Sequence, residues 1–157
     1  MKYLIALFFL LSLSLCTQAQ TMLQYHQYCG EISKSFDDVV GGEKYLTPLD
    51  KNVYFRMLSN GGNRVIYMNL ITKSPAGTAA NGVRVDLERG YVIERNVPTN
   101  VYQDADGKYV HYAEIKLSKQ EIKMLKMYNV VGFSLGNYNQ AVDNFIQLKA
   151  YIMCLTE

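Results

Sequence analysis

The chain has 157 residues, of which 49% are hydrophobic, and a formal net charge of +2. This length suffices for one domain with a hydrophobic core and is too short for two. The near-balanced charge argues against a nucleic-acid-binding protein, which would need a basic stripe on its surface.

The first 19 residues have the pattern of a secretory signal peptide. Lys2 gives a positive start, an apolar run extends from Tyr3 to Leu15, and Thr17-Gln18-Ala19 is a small-x-small cleavage site. The run is short for a membrane anchor, and no later segment has the length of a transmembrane span. We therefore expect cleavage after Ala19 and a single domain over residues 20–157, periplasmic or secreted. Lipoprotein anchoring through Cys16 is the alternative, although a leucine precedes this cysteine where that signal normally has a small residue.

The middle of the chain alternates strand-like runs with turn residues, which predicts hairpins. Two short runs, Cys29–Phe36 and Lys44–Leu49, surround the turn-forming glycines at 41 and 42. Three clearer hairpins follow, with turns at Asn60–Asn63, Arg89–Gly90 and Asp104–Gly107 and flanking strands Val53–Leu58, Arg64–Ile71, Val83–Leu87, Tyr91–Val97, Asn100–Gln103 and Lys108–Leu117. The run from Val65 to Ile71 is apolar on both faces, which predicts a central strand covered on both sides.

The last 40 residues read as helix, strand, helix. Ser118 and Glu121 form a capping box at the start of the first helix, and Val130–Leu135 is the strand. The second helix is expected from about Asn139, because apolar residues recur with helical spacing at Ala141, Phe145, Leu148, Ile152 and Leu155.

Hairpins followed by helix–strand–helix predict an α+β fold. We expect one domain with a mainly antiparallel sheet, or two packed sheets, and two C-terminal helices.

Two cysteines remain after signal cleavage, Cys29 and Cys154. In an oxidising compartment an even number of cysteines favours a bridge, which here would join the two ends of the domain. The alternative is a catalytic thiol, which needs a neighbouring base and an electropositive setting.

No pattern in the sequence predicts a catalytic residue, a metal site or a cofactor. Asp104-Ala105-Asp106-Gly107 resembles part of a calcium loop, but Lys108 and Ile115 stand where oxygen ligands are required. His26 and Cys29 are too few ligands for zinc, and His111 is expected to be buried and hydrogen-bonded. The nucleophile, phosphate-binding and zinc-protease motifs are absent from the sequence.

The chain has 13 tyrosines and no tryptophan. Many of these tyrosines are expected to pack in strands, where the residue is common. Exposed tyrosines favour contacts with proteins or glycans, since the ring is large and rigid with a polar tip. Tyr25, Tyr28 and Tyr102 are the candidate binding residues.

The order Leu117-Ser118-x-x-Glu121-Ile122-x-x-Leu125, a short strand and a helix closing in Cys154-Leu155 resembles a group of small secreted proteins of unknown function from Gram-negative bacteria. The resemblance covers about the last 40 residues. It implies export and an α+β domain, and it implies no activity.

These observations favour an exported, non-enzymatic binding or protein-interaction module. Its partner would be another exported protein, a peptide or a glycan. One alternative is a hydrolase-type enzyme with a distributed site that uses His111 and nearby acids, which requires a carboxylate within hydrogen-bonding reach of the imidazole. Another is an inhibitor or accessory protein that acts through an exposed loop such as Ser74–Gly82.

Overall fold

A computed structural model of the chain describes residues 27–49, 52–78 and 81–157. The predicted signal peptide, Cys16 and Tyr25 lie outside the described residues. Within the described part, no helix has the length and apolar character needed to cross a membrane.

In the described part of the chain, ten strands form two antiparallel sheets. The first sheet has the order β1-β2-β3-β4-β8-β7 and the second has the order β10-β9-β5-β6. The strands are β1 (Ser33–Asp37), β2 (Gly42–Leu46), β3 (Val53–Asn60), β4 (Asn63–Ser74), β5 (Asn81–Leu87), β6 (Val92–Pro98), β7 (Asn100–Gln103), β8 (Tyr109–Lys116), β9 (Val130–Leu135) and β10 (Tyr138–Ala141).

Helical structure lies mainly near the C-terminus, in α1 (Lys119–Met127) and α2 (Phe145–Cys154). Residues 27–30 are also helical, and a short 3₁₀ turn occupies Glu88–Gly90. The α+β class, the antiparallel sheets and the two C-terminal helices are therefore confirmed.

The inner faces of both sheets share one hydrophobic core. Alternate residues along a strand point to opposite faces, so the central strands of each sheet contribute about every second side chain to this core. Phe55 and Met68 come from the first sheet, and Val85 and Phe133 from the second. Both helices join the same cluster, for example through Leu125 and Leu148. The two sheets and the helices thus belong to one packed unit.

The predicted hairpin turns are confirmed. Gly61 and Gly62 join β3 to β4 with φ values of 56° and 86°. Residues other than glycine are strained at such positive φ values. The turn between β5 and β6 contains Arg89 at a φ of 62°. Such turns fix the strand register, and the register decides which side chains meet on the outer surface.

The capping box of α1 is confirmed, but the predicted start of the last helix is wrong. Residues 138–141 form β10, which pairs with β9, and α2 begins only at Phe145. Ala141, expected on the apolar stripe of the helix, is exposed on β10. Gly136, with a φ of 57°, turns the chain back against β9, whose backbone groups then pair with β10.

The predicted disulfide between Cys29 and Cys154 is confirmed, with a Cα–Cα distance of 5.5 Å and a sequence separation of 125. It joins the helical residues 27–30 to the last residue of α2. The Tyr28 ring packs edge-on against Tyr151, whose hydroxyl donates a hydrogen bond to the Glu31 carboxylate. Covalent and non-covalent contacts therefore hold the same two segments together.

Candidate functional site

The outer face of the first sheet, which points away from the core, carries an open groove of about 530 Å³. Polar and aromatic side chains alternate along the groove with a few aliphatic ones. The lining residues are Lys44, Leu46, Leu49, Tyr54, Arg56, Asn69, Ile71, Tyr102, Tyr112 and Glu114. We call this feature the outer groove.

The outer groove is assembled by the pairing of β3, β4 and β8. Tyr54, Asn69 and Glu114 lie directly opposite one another on these strands, and Ile71 lies opposite Tyr112. Cross-strand partners share one face of a sheet with Cβ atoms about 5 Å apart. Residues far apart in sequence therefore form a continuous surface at the centre of the sheet.

The predicted central strand, β4, lies between β3 and β8, but it is not covered on both sides. Its inner face contributes Met68 and Leu70 to the core. Its outer face contributes Asn69 and Ile71 to the outer groove. The expectation of cover on both faces is wrong, since the outer face opens to solvent through the groove.

A two-pronged ion pair lies in the outer groove. Arg56 donates from Nε and Nη2 to the two carboxylate oxygens of Glu114 at 3.0 and 2.6 Å. The guanidinium also lies 4.6 Å from the centroid of the Tyr67 ring, a cation–π contact. Although burial acts to lower the pKa of Arg56, the hydrogen bonds and charge of Glu114 raise it above its ordinary value. The guanidinium therefore stays charged, and its two hydrogen bonds to the Glu114 carboxylate leave the pair with little net charge.

Asn69 lies at the centre of the outer groove with an unused hydrogen-bond donor. The residue is only 3% exposed, and its Nδ2 atom is buried without an acceptor among the described residues. Most buried polar side-chain atoms in proteins have a partner, so this amide stands out.

Three tyrosines line the outer groove around Asn69: Tyr54, Tyr102 and Tyr112. The pKa of the Tyr54 phenol is raised, first by burial and then by the charge of Glu114 and the nearby Tyr112. This hydroxyl therefore remains protonated and can both donate and accept hydrogen bonds. Tyr102 is 53% exposed on the edge strand β7.

The candidate tyrosines from the sequence fall in different places. Tyr102 lines the outer groove, whereas Tyr28 packs against Tyr151 beside the disulfide. Tyr25 lies outside the described residues. The groove residues that sequence reasoning missed are Tyr54, Arg56, Asn69, Tyr112 and Glu114. The one sequence signal for them was an asparagine within the apolar run of β4.

His111 is buried at one end of the first sheet, with 0% exposure. Its Nε2 atom lies 2.8 Å from Ser74 Oγ and 3.0 Å from the Ala76 carbonyl oxygen, and its ring packs against Tyr138. Because a carbonyl only accepts hydrogen bonds, this contact requires the ring proton on Nε2. Nδ1 is buried and lacks a partner among the described residues. No carboxylate among these residues bonds to either ring nitrogen, and His111 is not part of the outer groove.

The loop that follows β4 is anchored at this histidine. The Ala76 carbonyl accepts hydrogen bonds from Ser74 Oγ and from the Tyr138 hydroxyl. Gly77 lies so close to the Tyr109 ring that a Cβ atom would overlap it. Residues 75–78 are exposed, and the rest of the predicted loop up to β5 lies outside the described residues.

The turn that resembled a calcium loop is explained by hairpin geometry. Asp104 Oδ1 accepts backbone hydrogen bonds from Asp106 and Lys108 at 3.1 and 2.9 Å, and Oδ2 pairs with Lys73. Across residues 27–49, 52–78 and 81–157, no three His, Cys, Asp or Glu side chains group together in a way that could hold a metal ion.

A second depression, of about 350 Å³, lies on the outer face of the second sheet. Both of its described arginines are paired: Arg84 with Asp86 and with Glu94 across the sheet, and Arg95 with Glu121. No tyrosine and no orphaned polar atom lines this depression. The outer groove is therefore the stronger candidate for a binding site.

Fold and groove together describe a two-sheet α+β domain with an open polar–aromatic groove on one sheet. No protein-family model matches the chain, and no curated protein and no solved structure matches it either.

Proposed function

We propose that this chain is an exported, non-enzymatic binding module whose ligand lies in the outer groove. The observation that carries the proposal is the cluster of three tyrosines, an orphaned amide and a neutralised ion pair on an uncovered sheet face. Ligand sites are typically concave, with apolar and aromatic walls and a few convergent polar groups. The outer groove has this composition.

Binding is favoured over catalysis by the chemistry of the lining. The described groove residues include no serine, threonine, cysteine or histidine, so they supply no Ser- or Cys-type nucleophile and no imidazole base. The one carboxylate among these described residues, on Glu114, is held at both oxygens by Arg56. The enzyme alternative needed a carboxylate beside His111, and that ring instead bonds to Ser74 and Ala76. We therefore do not propose a hydrolase.

Export is supported by the signal-peptide pattern in the sequence and by a bridge typical of oxidising compartments. The resemblance to small secreted proteins of Gram-negative bacteria stays a prediction, as does the choice between a periplasmic and a secreted location. The idea of an inhibitor that acts through Ser74–Gly82 also stays a prediction, with no contact in the described residues that favours it.

The proposal is tested by an NMR titration of the isotope-labelled domain with a chemically diverse library of small polar molecules. We expect ligands that shift backbone amide signals of β3, β4 and β8 together. The variant Tyr102→Ala removes an exposed groove ring and should weaken these ligands.

Tyr91→Ala is the matched control. Tyr91 is also exposed, at 45%, but it stacks on Tyr128 outside the outer groove, so its removal should leave ligand affinity unchanged. A library that shifts no amides of the three strands, or that shifts mainly the second sheet, would refute a binding role for the outer groove.

A further inference from the structure

We propose that the ligand of the outer groove is a neutral saccharide, held by stacking on tyrosine rings and by hydrogen bonds to Asn69 and to the Arg56–Glu114 pair. This inference rests on the proposed binding function and names the class of ligand. Four features of the groove support it: its charge balance, its orphaned donor, its aromatic and aliphatic lining, and its position on the sheet.

The charge balance favours an uncharged ligand. Arg56 and Glu114 already satisfy each other through two parallel hydrogen bonds. A carboxylate, phosphate or ammonium group placed at this pair would compete with one of its two members, and a partly buried charge left alone is unfavourable. Lys44 is the third charged residue of the lining, but it lies on β2, two strands away from Asn69, so the balance holds at the centre of the groove. A hydroxyl does not compete with either member of the pair, because it donates to the free lone pairs of the carboxylate and accepts from the remaining guanidinium N–H groups.

The orphaned donor requires an acceptor from the ligand. Asn69 lies between Tyr54 and Glu114, and its Nδ2 hydrogens have no acceptor among the described residues. Neighbouring side chains cover the amide in the free protein. Small rotations of these side chains on binding would let a hydroxyl or ring oxygen of the ligand reach it. Planar amide, carboxylate and guanidinium groups each present two hydrogen-bonding atoms side by side. Adjacent hydroxyls of a sugar match this spacing.

The aromatic and aliphatic lining matches the apolar C–H faces of a sugar ring. A pyranose has faces of C–H groups that pack on aromatic rings, while its hydroxyls project around the edge. Tyr54, Tyr102 and Tyr112 provide rigid rings with polar tips, and Ile71 adds apolar contact. Tyrosine supplies this surface in a chain without tryptophan.

The position of the groove argues against an extended peptide. Peptides that bind sheets usually add a strand at an edge, where backbone groups are free. The centre of the groove lies across β3, β4 and β8, and each of these strands pairs with a neighbour on both sides. The groove reaches an edge strand at Tyr102 on β7. Around Asn69, therefore, only side chains are available for recognition, which suits a ligand bound through its hydroxyls.

The test is an NMR titration with glucose, galactose, mannose, N-acetylglucosamine, cellobiose and maltose, alongside glucuronate, glucosamine and short tyrosine-containing peptides. We expect at least one neutral sugar to bind in the millimolar range or tighter and to shift amides of β3, β4 and β8. Tyr102→Ala should weaken it about tenfold, which corresponds to about 1.4 kcal/mol. Tyr91→Ala should leave its affinity unchanged.

Asn69→Leu tests whether Asn69 binds the ligand or only packs, because melting temperature and sugar affinity should respond differently. Replacing an orphaned buried amide by an apolar group of similar size should leave the melting temperature unchanged or raised. The same substitution should abolish sugar binding. A lower melting temperature together with unaltered sugar affinity would show that Asn69 serves packing alone, and would remove it from the site.

The outcomes separate this inference from the function on which it rests. If only peptides, charged sugars or unrelated library compounds occupy the outer groove, the saccharide assignment is wrong and the binding function stands. Sugar-induced shifts confined to other surfaces would also overturn the assignment. If neither the sugars nor the diverse library perturbs the groove strands, both proposals fall.

Discussion

Removing the disulfide by Cys29→Ser with Cys154→Ser should strongly destabilise the domain, because the bridge closes a very long loop. The two cysteines are 125 residues apart. In the chain-entropy treatment a loop of this length restricts the unfolded ensemble by about 5 kcal/mol at 25 °C. Small domains have free energies of unfolding of only about 5–15 kcal/mol, so the loss is a large share of the total. We expect a melting temperature lower by about 15 °C.

The assay is urea unfolding followed by far-UV circular dichroism, with wild-type protein in reductant as the matched control. The double variant and the reduced wild type should unfold at the same lower urea concentration. Both should also show a steeper dependence on urea, since an unfolded chain without the cross-link exposes more surface. A loss below about 1 kcal/mol would refute the entropic reasoning. The contacts of Tyr151 with Tyr28 and Glu31 would then hold the ends together in the absence of the bridge.

Three further substitutions probe local features by thermal or urea unfolding. The pKa of Glu121 is lowered: burial acts to raise it, but the hydrogen bonds from Ser118 outweigh burial. Glu121→Gln should therefore lower the free energy of unfolding by about 1–3 kcal/mol at neutral pH. The difference in unfolding free energy between wild type and Glu121→Gln should vanish below about pH 4, where acid protonates the wild-type carboxylate. A difference that does not depend on pH would contradict this explanation. Gly42→Ala should cost about 1–3 kcal/mol, because its Cβ would overlap the Ser59 carbonyl. Phe133→Ala in the core should cost about 3–5 kcal/mol, and a loss below about 1 kcal/mol would contradict its placement there.

Local signals made most of the fold predictable. Gly61 and Gly62 indicate a tight turn because glycine readily adopts the positive φ values found there. Ser118 and Glu121 form hydrogen bonds to free backbone N–H groups at the start of α1, within four residues of sequence. The disulfide was predictable because the expected signal cleavage leaves two cysteines. The helix expected from about Asn139 was wrong because residues 139–141 belong to β10, whose structure depends on pairing with β9. Short elements of this kind take their structure from tertiary partners more than from their own propensity.

The candidate site was much less predictable than the fold. Tyr102 was identified from residue type alone, whereas the Tyr54–Asn69–Glu114 row exists only through the pairing of three strands. A shift of one residue in register would turn these side chains to the other face. Asn69 and Glu114 are 45 positions apart in the sequence, and sequence spacing does not fix the register of their strands with the precision that a site requires. The asparagine within the apolar run of β4 was the one local anomaly.

Asn69 also admits a second explanation, in which a polar residue keeps an uncovered sheet face from associating with other chains. The observed burial argues against it. With 3% of its surface exposed, Asn69 contributes almost nothing to the face that another protein chain would cover, so Asn69→Leu adds little exposed apolar area. A small hydroxyl ligand differs, because it reaches the amide once neighbouring side chains rotate. Protection from association would come from the rims of the groove instead, such as half-buried Lys44 and exposed Tyr102. Size-exclusion chromatography of Asn69→Leu separates the two explanations: a monomer that has lost sugar binding supports a ligand role, and an associating protein that still binds sugar contradicts it.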